Sequence, residues 1–220
     1  MNNSTYDYIL KKYNITVGSQ YLVDVEGMVG SVALSKLFAE LKFNKGVEVG
    51  VDRGLFSEIL CQDNPDLHLS CVDPWASSAY EPNTYINEKQ PYFDECYEET
   101  VKRLAPYNCT IIRKTSMDAL ADFEDNSLDF VYIDANHDFL NFTQDLHYWM
   151  KKVRPGGIIS GHDYTYFSYK RFNHVKRALI AYARCYRMIP VFAVMYDGEG
   201  LRRDRYRSFF YVKGGREGYA

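Results

Sequence analysis

No apolar run in this 220-residue chain approaches the ~20 residues that a bilayer-spanning helix needs. The opening MNNSTYDYILKKYN lacks a basic stretch followed by an apolar one, so no secretory leader is expected. An excess of charge is missing as well. The formal net charge is −3, and no global basic field points to nucleic acid. The five cysteines, Cys61, Cys71, Cys96, Cys109 and Cys185, are odd in number and form no C-x-x-C pair. That argues against a disulfide framework and against a zinc knuckle. They are read as reduced thiols of a cytoplasmic protein, and the N-x-S/T triplets at Asn3, Asn14, Asn108 and Asn141 as chance matches. Internal repeats, low-complexity tracts and Pro- or Gly-rich linkers are also absent.

What is present is an ordinary globular balance, with 46% hydrophobic and 25% charged residues. A chain of this length buries roughly 70% of its unfolded surface, enough for a core without staples. Aromatics reach 16%, with 20 Tyr. Tyrosine joins an apolar face to a polar tip, so some of these residues are expected to line a pocket or an interface.

Residues 1–45 are read as an N-terminal helical extension, with an amphipathic helix over 31–42 carried by Val32, Leu37, Phe38 and Leu41. From 46 to 220 strand and helix signals alternate. Strands are expected over 47–51, 69–72, 110–113, 128–133 and 158–160, with helices between them on apolar residues at helical spacing. The segment 76–90 reads as a loop. Arg154-Pro155-Gly156-Gly157 reads as a sharp stop and turn. Segments 190–196 and 208–212 read as a closing hairpin. Strands separated by single helices imply right-handed βαβ units and a mostly parallel sheet, hence a doubly wound α/β domain.

The most informative stretch is Gly46-Val47-Glu48-Val49-Gly50-Val51-Asp52-Arg53-Gly54. A strand delivers an acid, and two glycines then frame a turn into a helix, where the backbone can approach a ligand closely. It is neither G-x-G-x-x-G nor a P-loop. By itself it is equally an ordinary strand-to-helix turn with a capping acid. Asp73 ends the next strand about 20 residues on, where doubly wound folds place an acid against ribose hydroxyls. Together Glu48, Gly50, Gly54 and Asp73 suit a nucleoside at the carboxyl ends of two strands.

V-E-V-G-x-x-x-G followed by C-V-D-P-W resembles the first two motifs of class I S-adenosylmethionine-dependent methyltransferases. The later D-F-V-Y-I-D-A-N-H-D-F and K-V-R-P-G-G-I-I-S-G-H-D-Y resemble the small-molecule O-methyltransferase group. That group includes the macrocin-type sugar methyltransferases and, more distantly, catechol O-methyltransferase. The similarity covers about 43–185. Asp52 departs from it, standing where many members carry a middle glycine. The resemblance implies a seven-stranded, Rossmann-like sheet with a reversed C-terminal hairpin, and S-adenosyl-L-methionine as cofactor. It implies that Glu48 holds the methionine side through the adjoining loop, that Gly50 and Gly54 pass close to the cofactor, and that Asp73 binds the ribose. Trp75 would pack near the adenine, Ser116 and Met117 would contact it, and Asp134 would lie at the methyl-transfer end. Ser116 is also readable as a helix N-cap.

Asp134 ends the most hydrophobic strand, and His162 and Asp163 end the next one. Adjacent parallel strands lie about 4.8 Å apart, so their loops should converge around one opening with His137. Oxygen methylation needs an acceptor stripped of its proton, which a base or a metal can promote. Asp134 and His137 are the catalytic candidates, His137 as base or as a helix cap. Asp134, His162 and Asp163 are the candidate ligands of a divalent ion, manganese or magnesium. His162 is also readable as a base or a hydrogen-bonded loop residue. The acceptor is read as a hydroxyl-bearing small molecule, a sugar or glycan, covered by Tyr80, Tyr85, Tyr164, Tyr166 and Tyr169. The alternatives are a nucleic-acid methyltransferase and a non-catalytic cofactor binder. No nucleic-acid or membrane partner is expected, and a homo-oligomer is left open. The run Arg202-Arg203-Asp204-Arg205-Tyr206-Arg207 reads as a solvated face or as a site for an acidic substrate group.

Overall fold

The computed structural model describes residues 4–79, 88–167, 173–196, 198 and 202–215. Tyr80, Tyr85 and Tyr169 and the side chains of Arg202 and Arg203 lie outside the described residues. The elements run α1 (Ser4–Lys12), β1 (Leu22–Val29), α2 (Gly30–Glu40), β2 (Lys45–Val49), α3 (Leu55–Asp63), β3 (His68–Val72), α4 (Gln90–Leu104) and β4 (Cys109–Ile112). They continue with α5 (Ser116–Ala119), β5 (Leu128–Ile133), α6 (Phe139–Lys152), β6 (Val153–Gly161), α7 (Val175–Tyr186), β7 (Val191–Met195) and β8 (Phe209–Val212).

One eight-stranded sheet has the order β1-β7-β8-β6-β5-β2-β3-β4. The pairs among β2 to β6, and β1 with β7, are parallel, while β8 runs antiparallel to both β6 and β7. The doubly wound expectation holds, with eight strands in place of seven. The extra strand is β1, so residues 1–45 are not purely helical. Its L-V-D-V-E alternation is that of a half-buried strand. Val23, Val25 and Met28 point inward while Asp24 and Glu26 stay exposed.

β5 shows why the sheet sits at the centre. Alternate side chains leave a strand on opposite faces. Phe130 and Tyr132 therefore enter the core under α1–α4, and Val131 and Ile133 enter the core under α5–α7. All four are buried. Each such side chain contributes about 1.5–3 kcal/mol. Phe130 stacks on Phe38 of α2 at 4.2 Å between ring centroids. Its ring occupies the space a side chain at Gly46 would need.

The Arg154-Pro155-Gly156-Gly157 segment is not a stop before the strand. β6 runs through it from Val153, and the pairing jumps from Leu128↔Val153 to Phe130↔Ile158. The extra residues bulge out and are pinned to the end of β8 by Gly156 N–H to Lys213 O at 2.8 Å. A bulge absorbs turn chemistry without ending the strand.

Candidate active site

The turn after β2 is built by backbone geometry. Gly50 has φ +88, and a Cβ there would collide with the backbone of Asp134 and Ala135 after β5. Asp52 takes the left-handed conformation, φ +52, that the middle glycine of the resembled motif would supply. Aspartate tolerates this region better than most residues. Asp73 fastens the turn. Its Oδ2 accepts the N–H groups of Val51 at 2.9 Å and Asp52 at 3.1 Å, and its Oδ1 accepts the Trp75 N–H at 2.7 Å. Burial pushes its carboxyl above the usual range even though these three donors pull it down. The Trp75 indole donates to Asp52 O at 2.8 Å, and Thr100 of α4 donates to the same oxygen at 2.9 Å.

Above these strand ends lies a cavity of about 610 Å³, within the ~300–1,000 Å³ of small-molecule sites. Gly50, Asp52, Asp73 and Trp75 line its floor. Tyr92, Phe93 and Cys96 of α4 form one wall, and Ser116, Met117, Asn141 and Asp145 form the opposite wall. Asp134, Asn136 and His137 close one end. Thr115, not Ser116, caps α5 by accepting the Asp118 N–H. The Ser116 hydroxyl donates instead to Asp145 Oδ1. Burial holds the Asp145 carboxyl up to about 7 against the pull of that hydrogen bond.

Two expected residues lie off the cavity wall. Glu48 is buried under α3, where the Ser57 hydroxyl donates to it. Gly54, φ +71, opens α3 and faces Thr100. Glu48 therefore reaches a ligand through the loop at most, as the motif implied, and Gly54 shapes the turn.

At the closed end four ionisable side chains meet. His137 Nε2 lies 2.9 Å from Asp163 Oδ2 and 3.3 Å from Asp134 Oδ1. His162 Nδ1 lies 3.7 Å from Asp134 Oδ1 and 3.7 Å from Asp163 Oδ1. Burial alone would lower the His137 pKa, but hydrogen bonds to Asp134 and Asp163 overcome it and hold the imidazole up to about 10. An imidazole so held bridges the two carboxylates through Nε2. One ligand atom from each of Asp134, His162 and Asp163 lies within 4.8 Å of the other two. Two carboxylates and an imidazole form a donor set that fits manganese at least as well as magnesium. Asp163 itself has φ +61. Strain of this kind collects at functional sites.

Sequence reasoning brought together Gly50, Asp73, Trp75, Ser116, Met117, Asp134, His137, His162 and Asp163. It missed the α4 wall and Asp145. The signal for Asp145 was present: it shares the inward stripe of α6 with Phe142, Leu146 and Trp149, and an acid on an apolar stripe requires a reason.

Residues 47–164, more than half of the chain, match the model of a family described as a methyltransferase domain. The uncharacterised protein y4gI of Sinorhizobium fredii is 28% identical over 123 residues, which are 53% of this chain and 13% of that protein. The chain thus spans a small fraction of this relative's length. In fold the chain is similar to the O-methyltransferase TomG of Streptomyces achromogenes, involved in tomaymycin synthesis and solved with SAM. The TM-score is 0.57 at 16% identity, covering 96% of this chain and 89% of that one. It is similar too to an O-methyltransferase of Bacillus cereus solved with SAH, with TM-score 0.58 and 16% identity, covering 96% and 91% of the two chains. With the glycine turn, the acid after β3 and the acid after β5 meeting around one cavity inside the matched segment, the chain belongs to the methyltransferase-domain family.

Proposed function

We propose that the protein moves a methyl group from S-adenosylmethionine to a hydroxyl oxygen of a small molecule. The observation that carries this reading is the double position of Asp134, which lines the cavity and is also a member of the three-residue ligand cluster. A donor in the cavity and an acceptor at the cluster would meet at that residue. The SAM- and SAH-bound structures of similar fold support the choice of donor.

When bound, the cofactor supplies an electrophilic methyl on sulfur. Gly50 and Asp52 would let the backbone pass close to it, Asp73 and Trp75 would hold the ribose side, and Ser116 and Met117 the base. Asp134, His162 and Asp163 would hold a divalent ion, which when bound lowers the pKa of an acceptor hydroxyl. His137, bridging Asp134 and Asp163, keeps the two like charges in position and limits their repulsion. Asp134 orients the acceptor oxygen and takes its proton, because it is the carboxylate shared by the two halves of the site.

Tyr166, on the loop after the cluster, supports a ring-shaped acceptor such as a sugar, whereas Tyr164, expected to cover it, is buried in the core among Val175, Leu179 and Phe209. Tyr166 is exposed, and the Lys176 ammonium lies 4.5 Å from its ring. A reducing, cytoplasmic setting is supported by five cysteines that are all free. No helix among the described residues is long and apolar enough to cross a membrane.

The test is a screen of isotopically labelled S-adenosylmethionine against sugar, phenol and RNA acceptors, with and without manganese. Label on a hydroxyl oxygen of a small acceptor is expected. Transfer to RNA alone, or no cofactor heat in calorimetry, removes the reading.

A further inference from the structure

Three of the five cysteines gather on the face of the sheet under α1–α4. Cys61 stands near the end of α3, Cys71 in β3, and Cys109 opens β4. None of the three lines the cavity at the carboxyl ends of the strands. Cys61 Sγ lies 3.4 Å from Cys109 Sγ. A disulfide is ~2.05 Å long and forms only where the two side chains point at each other. These two sulfurs already face each other across elements 48 positions apart in sequence.

The three thiols are not alike. Cys71 is fully buried and Cys61 is 4% exposed, whereas Cys109 is half-buried and reaches solvent. Hydrogen bonds from Cys61 and then Cys71 hold the Cys109 thiol well below its ordinary value, against the upward push of burial. The same contact with Cys109, and then burial, pushes the Cys61 thiol up. The nucleophilic form of a cysteine is its thiolate. Here a reachable sulfur is suited to attack, and a sheltered one in contact with it is placed to resolve the product.

We propose that Cys61 and Cys109 form a reversible oxidation site, closed by hydrogen peroxide into a disulfide that ties α3 to β4 and reopened by a small thiol. The Cys109 thiolate attacks one peroxide oxygen, the O–O bond breaks, and hydroxide leaves. Cys109 is then a sulfenic acid, and the hydroxide takes up the proton that Cys109 had released. The Cys61 sulfur next attacks the Cys109 sulfur. The S–S bond forms, the S–O bond breaks, and the oxygen leaves as water with the Cys61 proton. The two sulfurs have given up two electrons, and one peroxide has become two waters. Two molecules of glutathione return the electrons by thiol–disulfide exchange. Disulfides of cytosolic proteins are typically transient and redox-sensing. The closed loop holds β3 and α4 and pins β4, a four-residue strand that pairs, among the described residues, with β3.

The experiment treats the folded full chain, carrying Cys185→Ser to remove the exposed thiol, with a small excess of hydrogen peroxide. Of the five cysteines four then remain. All four should titrate in denaturant before treatment, and two after it. The mass of two hydrogens should be lost, a Cys61–Cys109 peptide pair should appear in the non-reduced digest, and glutathione should restore four thiols. Closure should raise Tm by about 5 °C or more, because a bond across a long loop restrains the unfolded chain. In Cys61→Ser the reaction should stop at a Cys109 sulfenic acid that dimedone traps. Four thiols left after treatment overturn the proposal, as does Cys109 carried on to sulfinic acid beside a free Cys61. A cross-link to Cys71 in place of Cys61, or a bond that forms only in denaturant, overturns it as well. An unchanged Tm in the cross-linked chain overturns the tether. The digest of the Cys185→Ser chain decides the pairing by itself, so a Cys61→Ser variant that fails to fold does not rescue it.

Discussion

The two ends of the cavity handle buried acid in opposite ways. At the β3 end, Asp73 spends its oxygens on backbone N–H groups of its own turn and of the glycine turn. At the β5 end, Asp134 and Asp163 face imidazoles, and through them each other. The first carboxylate is hydrogen-bonded by the fold, so it fastens the turn on which the cavity is built while still lining that cavity. The second pair is held by side chains, with His137 between the two acids. An acid satisfied by backbone builds a site, whereas an acid held by side chains acts in one. Asp145 is intermediate, with a single hydroxyl partner.

The comparison breaks first at Asp134. Asp134→Asn should lower turnover at least about 10³-fold, within the range for loss of proton transfer plus charge stabilisation. S-adenosylhomocysteine affinity should change less than about threefold. A variant with wild-type rates on a true acceptor would show that the β5 end does not react.

Chelation tests the metal at the β5 end directly. Activity should fall by about 10²-fold or more after exhaustive chelation and return with manganese, several kcal/mol of stabilisation being typical of such an ion. Full activity in chelator, with no metal by elemental analysis, would leave His137 and the two acids as a metal-free cluster.

At the β3 end, Asp73→Ala should cost about 10–100-fold in cofactor affinity, because two N–H groups of the glycine turn lose their acceptor. Proteolysis within 50–54 should quicken in the same variant. Unchanged affinity in a folded variant would mean that the turn holds itself.

Asp145 sharpens the contrast through pH. Its folded pKa, about 7, lies above the ~3.9 of an unfolded aspartate. The folded state therefore binds more protons between those values, and stability falls as pH rises from about 4 to about 7. Asp145→Asn should raise ligand-free stability by about 1–2 kcal/mol at pH 8 and not at pH 4. Equal melting shifts at both pH values would show that the carboxylate is solvated. The smallest effect is expected at the wall beside it. Thr115→Ala should cost about 1 kcal/mol through loss of the α5 cap, read as a fall in melting temperature of about 2–4 °C.

Much of this was legible from spacing. β5 was readable over its full length because it is buried on both faces and bounded by polar residues. The acids ending β3 and β5 were readable because open α/β sheets bind ligands at strand ends. What stayed hidden depends on packing. Which face of α4 turns toward a cavity is set by the helix docking on α3, so Tyr92, Phe93 and Cys96 carried no local mark. β1 was overlooked because a helix signal follows it at once. The Arg-Pro-Gly-Gly segment misled because turn residues inside a strand look the same as turn residues before one.

β1 also decides what the molecule can stick to. Among the described residues a sheet with this order has two open margins, β1 and β4, and open margins invite pairing with another chain. β4 is four residues long, a poor template. β1 shows exposed Asp24 and Glu26, and its pairing shifts register between Val25 and Val29. Charge and irregularity are the usual guards of a sheet margin. Without β1 the margin would pass to β7, whose Val191, Phe192, Ala193 and Val194 are all buried. The N-terminal strand thus works as a stopper against sheet-to-sheet aggregation, and a chain begun after residue 30 would expose an adhesive apolar ribbon.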